Sequence, residues 1–173
     1  MNNNVSKEDA YKNLEIVNFW INNIDLKASF ILAFLGMLLS TILCSDNLEV
    51  LKTFISVPIN TMNFIEILKP IVVLLLISSS LISAVFLILT LLARTKIQNM
   101  PKSYYFFGNI SNSDRKDFLK YFKKLNDNSI INEILNQVYA NSKICDYKSK
   151  LYNKSINLMI ITIALSFLNY ILR

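Results

Sequence analysis

The stretch from Asn128 to Arg173 most constrains the fold, because it contains neither Gly nor Pro. Nothing in it therefore forces a break in a helix. Its first half is charged and amphipathic, whereas residues 155–172 carry no charge. The stretch predicts a single helix of about forty-five residues, roughly 67 Å long. We expect its first half to lie in water and its second half in a membrane.

A regular spacing of residues marks one face of this long helix. Steps of alternately four and three residues keep one seam of a helix directed at a neighbouring helix. The residues at these steps are Ile131, Leu135, Val138, Ser142, Cys145, Ser149, Tyr152, Ile156, Met159 and Ile163. We expect this seam to pack against a partner along both halves of the helix.

Two further runs have the length of a membrane span. Residues 28–45 and 70–93 are uncharged over 18 and 24 positions, and about 20 apolar residues cross the hydrocarbon core of a bilayer. Apolar residues make up 53% of the chain and charged residues 17%, which is too apolar for an ordinary soluble domain. The sequence therefore predicts an all-α integral membrane protein with three transmembrane helices, at 28–45, 70–93 and 155–172.

The basic residues predict the orientation of these spans. Lys and Arg close to a span prefer the cytoplasmic side, and residues 94–154 carry twelve basic and five acidic residues. We therefore predict that the N-terminus is inside and the C-terminus outside. Residues 1–27 then form a cytoplasmic amphipathic helix, residues 46–69 an extracytoplasmic loop and residues 94–154 a cytoplasmic helical module.

Capping residues and prolines predict where several helices begin. Ser6 is a suitable N-cap for the first helix, and Asp114 for the helix that follows the second span. Proline is tolerated in the first turn of a helix, so Pro70 is predicted to open the second span. Pro58 predicts a break within the extracytoplasmic loop.

The composition argues against most kinds of catalysis. The chain has no His and only two glycines, so His-based catalysis, His metal sites and a Gly-rich phosphate loop are excluded. Cys44 is expected in a span and Cys145 in a water-side helix, so we expect no disulfide between them. We predict a protein that is not an enzyme, holds no metal and needs no cofactor.

Polar residues lie where the first helix is expected to enter the membrane. Asn22, Asp25 and Lys27 precede the first span. A Lys at this depth is an ordinary interfacial anchor, and it is equally a candidate contact for an anion. The sequence leaves both interpretations open.

A second group of polar residues lies on the long helix. Asn141, Cys145 and Lys148 follow one another at steps of four and three, so they share one face, with Tyr139 and Lys143 beside them. A Lys on a half-buried face needs an anionic partner. A solvated helix face also explains these residues when they are taken alone.

Small hydroxyl residues, Ser78 to Ser80 and Ser83, interrupt the second apolar run. Such residues let membrane helices approach closely and form hydrogen bonds between them. They are also compatible with a wet path through the membrane.

Three short motifs together resemble a known family. Residues 20–29, with Asp25, Lys27, Ala28 and Ser29 leading into a span, form the first. The run Phe-Phe-Gly-Asn-Ile at 106–110 follows the second span, and Asn-Ser-Lys-Ile at 141–144 leads, with Lys148 and Leu151, into the third. Their order and their spacing from the spans resemble the transmembrane effector of the bacterial Pycsar antiphage system, over most of residues 15–165.

The resemblance implies a ligand and a function. A partner pyrimidine cyclase makes cyclic CMP or cyclic UMP, and the effector binds the nucleotide, impairs membrane integrity and kills the infected cell. Residues 94–154 then act as a ligand-sensing module. In this interpretation lysines meet the phosphate, aromatic rings stack on the base and polar side chains read its edges. The candidate ligand-binding residues are Asn22, Asp25, Lys27, Phe107, Gly108, Tyr139, Asn141, Lys143 and Lys148.

The resemblance places the protein in the bacterial cytoplasmic membrane, as a multi-pass protein with no nucleic-acid partner. Three spans are too few to enclose a pore, so we also expect a homo-oligomer. The alternative is a ligand-independent membrane scaffold or a holin-like pore-forming protein, which would permeabilise membranes on expression alone.

Overall fold

The computed structural model describes residues 5–44, 46–93 and 110–172, and within these ranges the chain is helical, with no strand. Three helices are long and apolar enough to cross a membrane, namely α1, α3 and α5, which confirms the predicted fold class. The helices are α1 (Lys7–Cys44), α2 (Asn47–Ser56), a short 3₁₀ helix (Ile59–Thr61), α3 (Phe64–Leu92), α4 (Arg115–Phe122) and α5 (Asp127–Ile171).

Side-chain caps begin three of these helices. The Ser6 hydroxyl accepts a hydrogen bond from the Asp9 backbone N–H at 3.1 Å, and the Asp114 carboxylate accepts one from the Lys116 N–H at 3.0 Å. Both predicted caps are therefore confirmed. Asn126 caps α5 in the same way, because its side-chain oxygen accepts from the Ser129 N–H at 2.8 Å.

Helix α3 begins earlier than Pro70 predicts. It starts at Phe64, so Pro70 lies inside it. The Glu66 carboxylate accepts a hydrogen bond from the Asn63 N–H at 2.7 Å, as the third helical residue does in a capping box. This cap starts the helix, and Pro70 falls close enough to the start that only the carbonyl of Glu66 in the first turn loses its partner.

The chain divides into two compact units. The first contains Met1–Ile24 and Ala93–Lys148, and the second contains Asp25–Leu92 and Ser149–Arg173. Helices α1 and α5 each begin in the first unit and end in the second.

Helices α1 and α5 run parallel in the first unit. The Lys7 ammonium lies 3.4 Å from the Asp127 carboxylate, and the Asn141 amide donates to the Asn18 side-chain oxygen at 2.7 Å. The residue numbers of both helices increase from the first contact to the second, so the two helices have the same direction.

Helices α3 and α5 run antiparallel in the second unit, because contacts that ascend α5 descend α3. The Ser83 hydroxyl donates to the Ser155 carbonyl at 3.0 Å, and the Ser79 and Thr162 hydroxyls are 3.0 Å apart. The apolar core of this unit is built from Ala28, Leu35 and Leu87, all fully buried, with flanking residues of α1, α3 and α5 packed against them. Small hydroxyl residues thus pack α3 against α5, as one of the two interpretations of the serine run predicts.

The most buried face of α5 is polar and differs from the predicted seam. Ile134 is fully buried, and the residues that follow it at steps of seven form one face. Lys148, Ser155 and Thr162 on this face are also buried. Asn141 and Asn169 on the same face form hydrogen bonds to other helices. We call Asn141, Lys148, Ser155, Thr162 and Asn169 the polar stripe. The predicted seam lies one residue further along, and its Ser142 is exposed. In the half of α5 that is predicted to span the membrane, apolar side chains remain favourable against lipid, whereas polar groups need partners, so the polar face turns inward.

Candidate functional site

Lys148 is the one buried basic residue in the part of the chain that the structure describes. Only 4% of it is exposed, although it lies on the half of α5 that the sequence assigns to water. Removing an ammonium group from water is costly unless an anion or a set of acceptors compensates for it. A solvated helix face therefore does not explain the position of Lys148.

Asn141, one heptad before Lys148, is held by α1. Its amide donates to Asn18, a residue that the sequence analysis did not select. The predicted residue Asn22 lies one turn beyond Asn18 and is exposed. Helical spacing would have suggested Asn18, since residues four apart lie on the same face.

Tyr139 and Lys143 form a pair on the surface of α5. The Lys143 ammonium lies 5.5 Å from the centre of the Tyr139 ring, within the range of a cation–π contact. Both residues are exposed. The pair presents an aromatic face and a positive charge together, which suits an anionic, aromatic ligand.

Of the remaining predicted residues, two lie in the second unit and two lie outside the described residues. Asp25 is half-buried and Lys27 exposed at the start of the second unit, whereas Asn22, Tyr139, Asn141, Lys143 and Lys148 belong to the first. The exposed Lys27 fits an interfacial anchor. Phe107 and Gly108 lie outside the described residues.

The Cys145 thiol reports the electrostatics beside Lys148. Burial raises the pKa of this thiol, the neighbouring Asp146 carboxylate raises it further, and the Lys148 ammonium opposes both. Lys148 is thus close enough to influence a group one turn away. Glu133, with 9% of its surface exposed, is a buried acid on the same helix that the sequence analysis also missed.

The first unit therefore offers the chemical groups that an anionic nucleotide requires. A buried ammonium group can neutralise a phosphate, amides can bond to polar edges, and an exposed tyrosine can stack on a base. Within the described ranges no group of three or more His, Cys, Asp or Glu residues could hold a metal ion.

Comparison with known proteins confirms the resemblance. The sequence model of the PycTM family, described as a Pycsar effector protein domain, matches residues 9–173. The Pycsar effector protein GmPycTM of Gulbenkiania mobilis is 33% identical over 179 aligned positions. The alignment covers 89% of this chain and 86% of that protein. No solved structure matches the chain. The chain, with its three helices of membrane-spanning length, therefore belongs to the PycTM family of Pycsar effector proteins.

Proposed function

We propose that this membrane protein is an antiphage effector that a cyclic pyrimidine nucleotide activates. A partner pyrimidine cyclase supplies cyclic CMP or cyclic UMP, and the activated effector impairs the integrity of the bacterial cytoplasmic membrane and kills the infected cell. Membership of the Pycsar effector family and the membrane-length helices support the general role. The burial of Lys148 is the observation that supports the specific role, activation by a cyclic pyrimidine nucleotide.

In this proposal Lys148 binds the nucleotide phosphate. A cyclic nucleotide has one phosphate charge, and a single buried ammonium group matches it. Asn141 reads a polar edge of the ligand, and Tyr139 stacks on the base, with Lys143 adding positive charge. Asn22, Asp25, Lys27, Phe107 and Gly108 remain proposed contacts, and no organic cofactor beyond this ligand is required.

Helix α5 is the proposed link between ligand and membrane. It is continuous from Asp127 to Ile171, and its polar stripe contacts α1 through Asn141 and α3 through Ser155 and Thr162. A ligand shifts a conformational equilibrium only if it binds one arrangement better than another. We propose that the nucleotide favours a shifted or rotated α5, which repacks the stripe against α3.

The test replaces Lys148 with methionine, which removes the charge but keeps an unbranched side chain. Loss of a hydrogen bond to a charged group costs about 1.5–3 kcal/mol, so we expect binding of cyclic CMP or cyclic UMP to weaken roughly ten- to hundredfold. Binding is measured calorimetrically in detergent, and dye leakage in phosphatidylethanolamine–phosphatidylglycerol vesicles. Leakage that depends on the nucleotide should be lost.

Lys150→Met is the matched control, because Lys150 is an exposed lysine two residues further along α5. It should bind and leak like the parent protein. If Lys148→Met binds the nucleotide as tightly as the parent, the assignment of the phosphate site is wrong. If the parent causes leakage without any nucleotide, the holin-like alternative is correct and the activation proposal fails.

A further inference from the structure

A cavity lined by both polar and apolar side chains lies in the second unit, beside the contact between α2 and α5. Its volume is about 190 Å³, and its polar lining consists of Thr41, Asn47, Ser166, Asn169 and Tyr170. The lining comes from α1, α2, α3 and α5 of a single chain. One wall is closed by a hydrogen bond from the Asn169 amide to the Asn47 side-chain oxygen at 3.0 Å.

This cavity has the size and chemistry of a hydrated site. A single water molecule needs only about 10–15 Å³ of such space and two to four polar partners, so the cavity has room for several. Polar side chains within a membrane bundle are costly unless they face a partner or a water-filled space.

A pair of hydroxyl groups lies one turn beyond the cavity, toward the middle of the bundle. Leu76 and Ser166 line the cavity, and Ser79 and Thr162 are the residues one turn further along α3 and α5. Their hydroxyls are 3.0 Å apart. Both residues are buried, because only 8% of the surface of Ser79 and none of the surface of Thr162 is exposed. The Ser83–Ser155 contact follows beyond them, so polar groups continue from the cavity into the bundle.

The hydroxyl pair is also easy to separate. A hydroxyl has one proton, so one member of the pair can donate to the other while the second donates to a carbonyl of its own helix. The Leu76 carbonyl lies 3.1 Å from the Ser79 hydroxyl, and the Leu158 carbonyl lies 2.9 Å from the Thr162 hydroxyl. Each hydroxyl can therefore donate within its own helix when the two helices move apart. Opening the pair leaves no buried donor without an acceptor.

We infer that this cavity is a water-filled vestibule for small hydrated ions, and that the Ser79–Thr162 pair closes its inner end. The vestibule is one end of a permeation route along the contact between α3 and α5, which opens when α5 moves relative to α3. The inferred permeation route rests on the leakage activity in the proposed function, whereas the inferred vestibule is independent of that activity.

The vestibule is tested by cysteine accessibility without any nucleotide. In a Cys44→Ser/Cys145→Ser background, Ser166→Cys places a thiol in the cavity lining. Leu168→Cys places one two residues further along α5, at an exposed position outside the cavity. Only a hydrated thiol ionises and reacts with a charged methanethiosulfonate, so we expect modification at 166 to be at least about tenfold faster. Thr41→Cys provides a second lining position on α1. Equal or slower modification of both lining positions than of position 168 would overturn the vestibule.

The route is tested by leakage after labelling. A bulky charged adduct at position 166 should reduce nucleotide-dependent dye leakage at least about tenfold, because it fills the vestibule, whereas the adduct at 168 should leave it unchanged. Normal leakage through fully labelled Ser166→Cys would show that the route lies elsewhere. If no nucleotide-dependent leakage occurs in the unlabelled parent, the proposed function fails, and the accessibility result still decides the vestibule.

Discussion

At the scale of single residues, Lys148 is notable because its burial is inconsistent with a solvated helix face. Its neighbours Lys143 and Lys150 are exposed, as lysines on a water-side helix ordinarily are. The buried position lies on the polar stripe, one heptad after Asn141 and one before Ser155. The structure thereby separates a candidate ligand contact from the surrounding basic residues, which the sequence alone did not rank.

The Cys145 thiol provides a test of the charge on Lys148. Because burial raises the pKa of this thiol and Lys148 lowers it, Lys148→Met should raise the pKa further. The thiolate fraction then falls, so alkylation by iodoacetamide at mildly alkaline pH should slow. The rate is measured by mass spectrometry over a pH series, with Lys150→Met as the control. An unchanged pH profile in Lys148→Met would show that the ammonium does not act on the thiol.

At the scale of secondary-structure elements, α5 combines two environments in one uninterrupted helix. Its polar stripe contacts α1 in the first unit and α3 in the second, while large apolar residues such as Ile160 and Phe167 are exposed. Exposed apolar side chains are suited to lipid, and short polar side chains let helices approach closely. The stripe therefore determines which face of α5 packs against protein.

Ser155→Leu should disrupt the contact between α3 and α5. Ser155 is fully buried and its carbonyl accepts from Ser83, so a leucine overpacks the contact and destabilises the protein by about 1–3 kcal/mol. Thermal unfolding in detergent measures this loss. Ile156→Leu, an equal-volume change at the half-buried neighbouring position, should have a smaller effect. A Ser155→Leu variant as stable as the parent would contradict close packing at this site.

At the scale of the whole molecule, the charge distribution and the helix directions agree with one topology. Helices α1 and α5 run parallel in the first unit, which agrees with the prediction that the first and third spans enter the membrane from the same side. Residues 94–154 carry twelve of the eighteen basic residues of the chain, and the positive-inside rule assigns such a segment to the cytoplasm.

The predicted orientation can be measured with exposed cysteines. In the same Cys44→Ser/Cys145→Ser background, Lys52→Cys on α2 should react with an impermeant thiol reagent in intact cells, whereas Lys123→Cys after α4 should react only after permeabilisation. Both lysines are exposed, so burial does not explain a difference. The opposite pattern would reverse the predicted topology.

The predicted homo-oligomer is tested by cross-linking in native membranes. We expect multimers with and without nucleotide, because one chain supplies only three membrane-length helices. Monomer alone in both conditions would contradict the oligomer prediction.

The presence of three helices of membrane-spanning length followed from the sequence, because an uncharged run of about 18 residues or more is long enough by itself to indicate a span. The N-caps at Ser6 and Asp114 could also be predicted from the sequence, because each side chain bonds within the first turn of the helix that it begins. The buried face of α5 could not be predicted from the sequence, because apolar periodicity does not distinguish contact with lipid from contact with protein. Ile156 and Met159 suit either environment, whereas Asn141, Ser155 and Thr162 required partners on α1 and α3 that only the tertiary structure could supply.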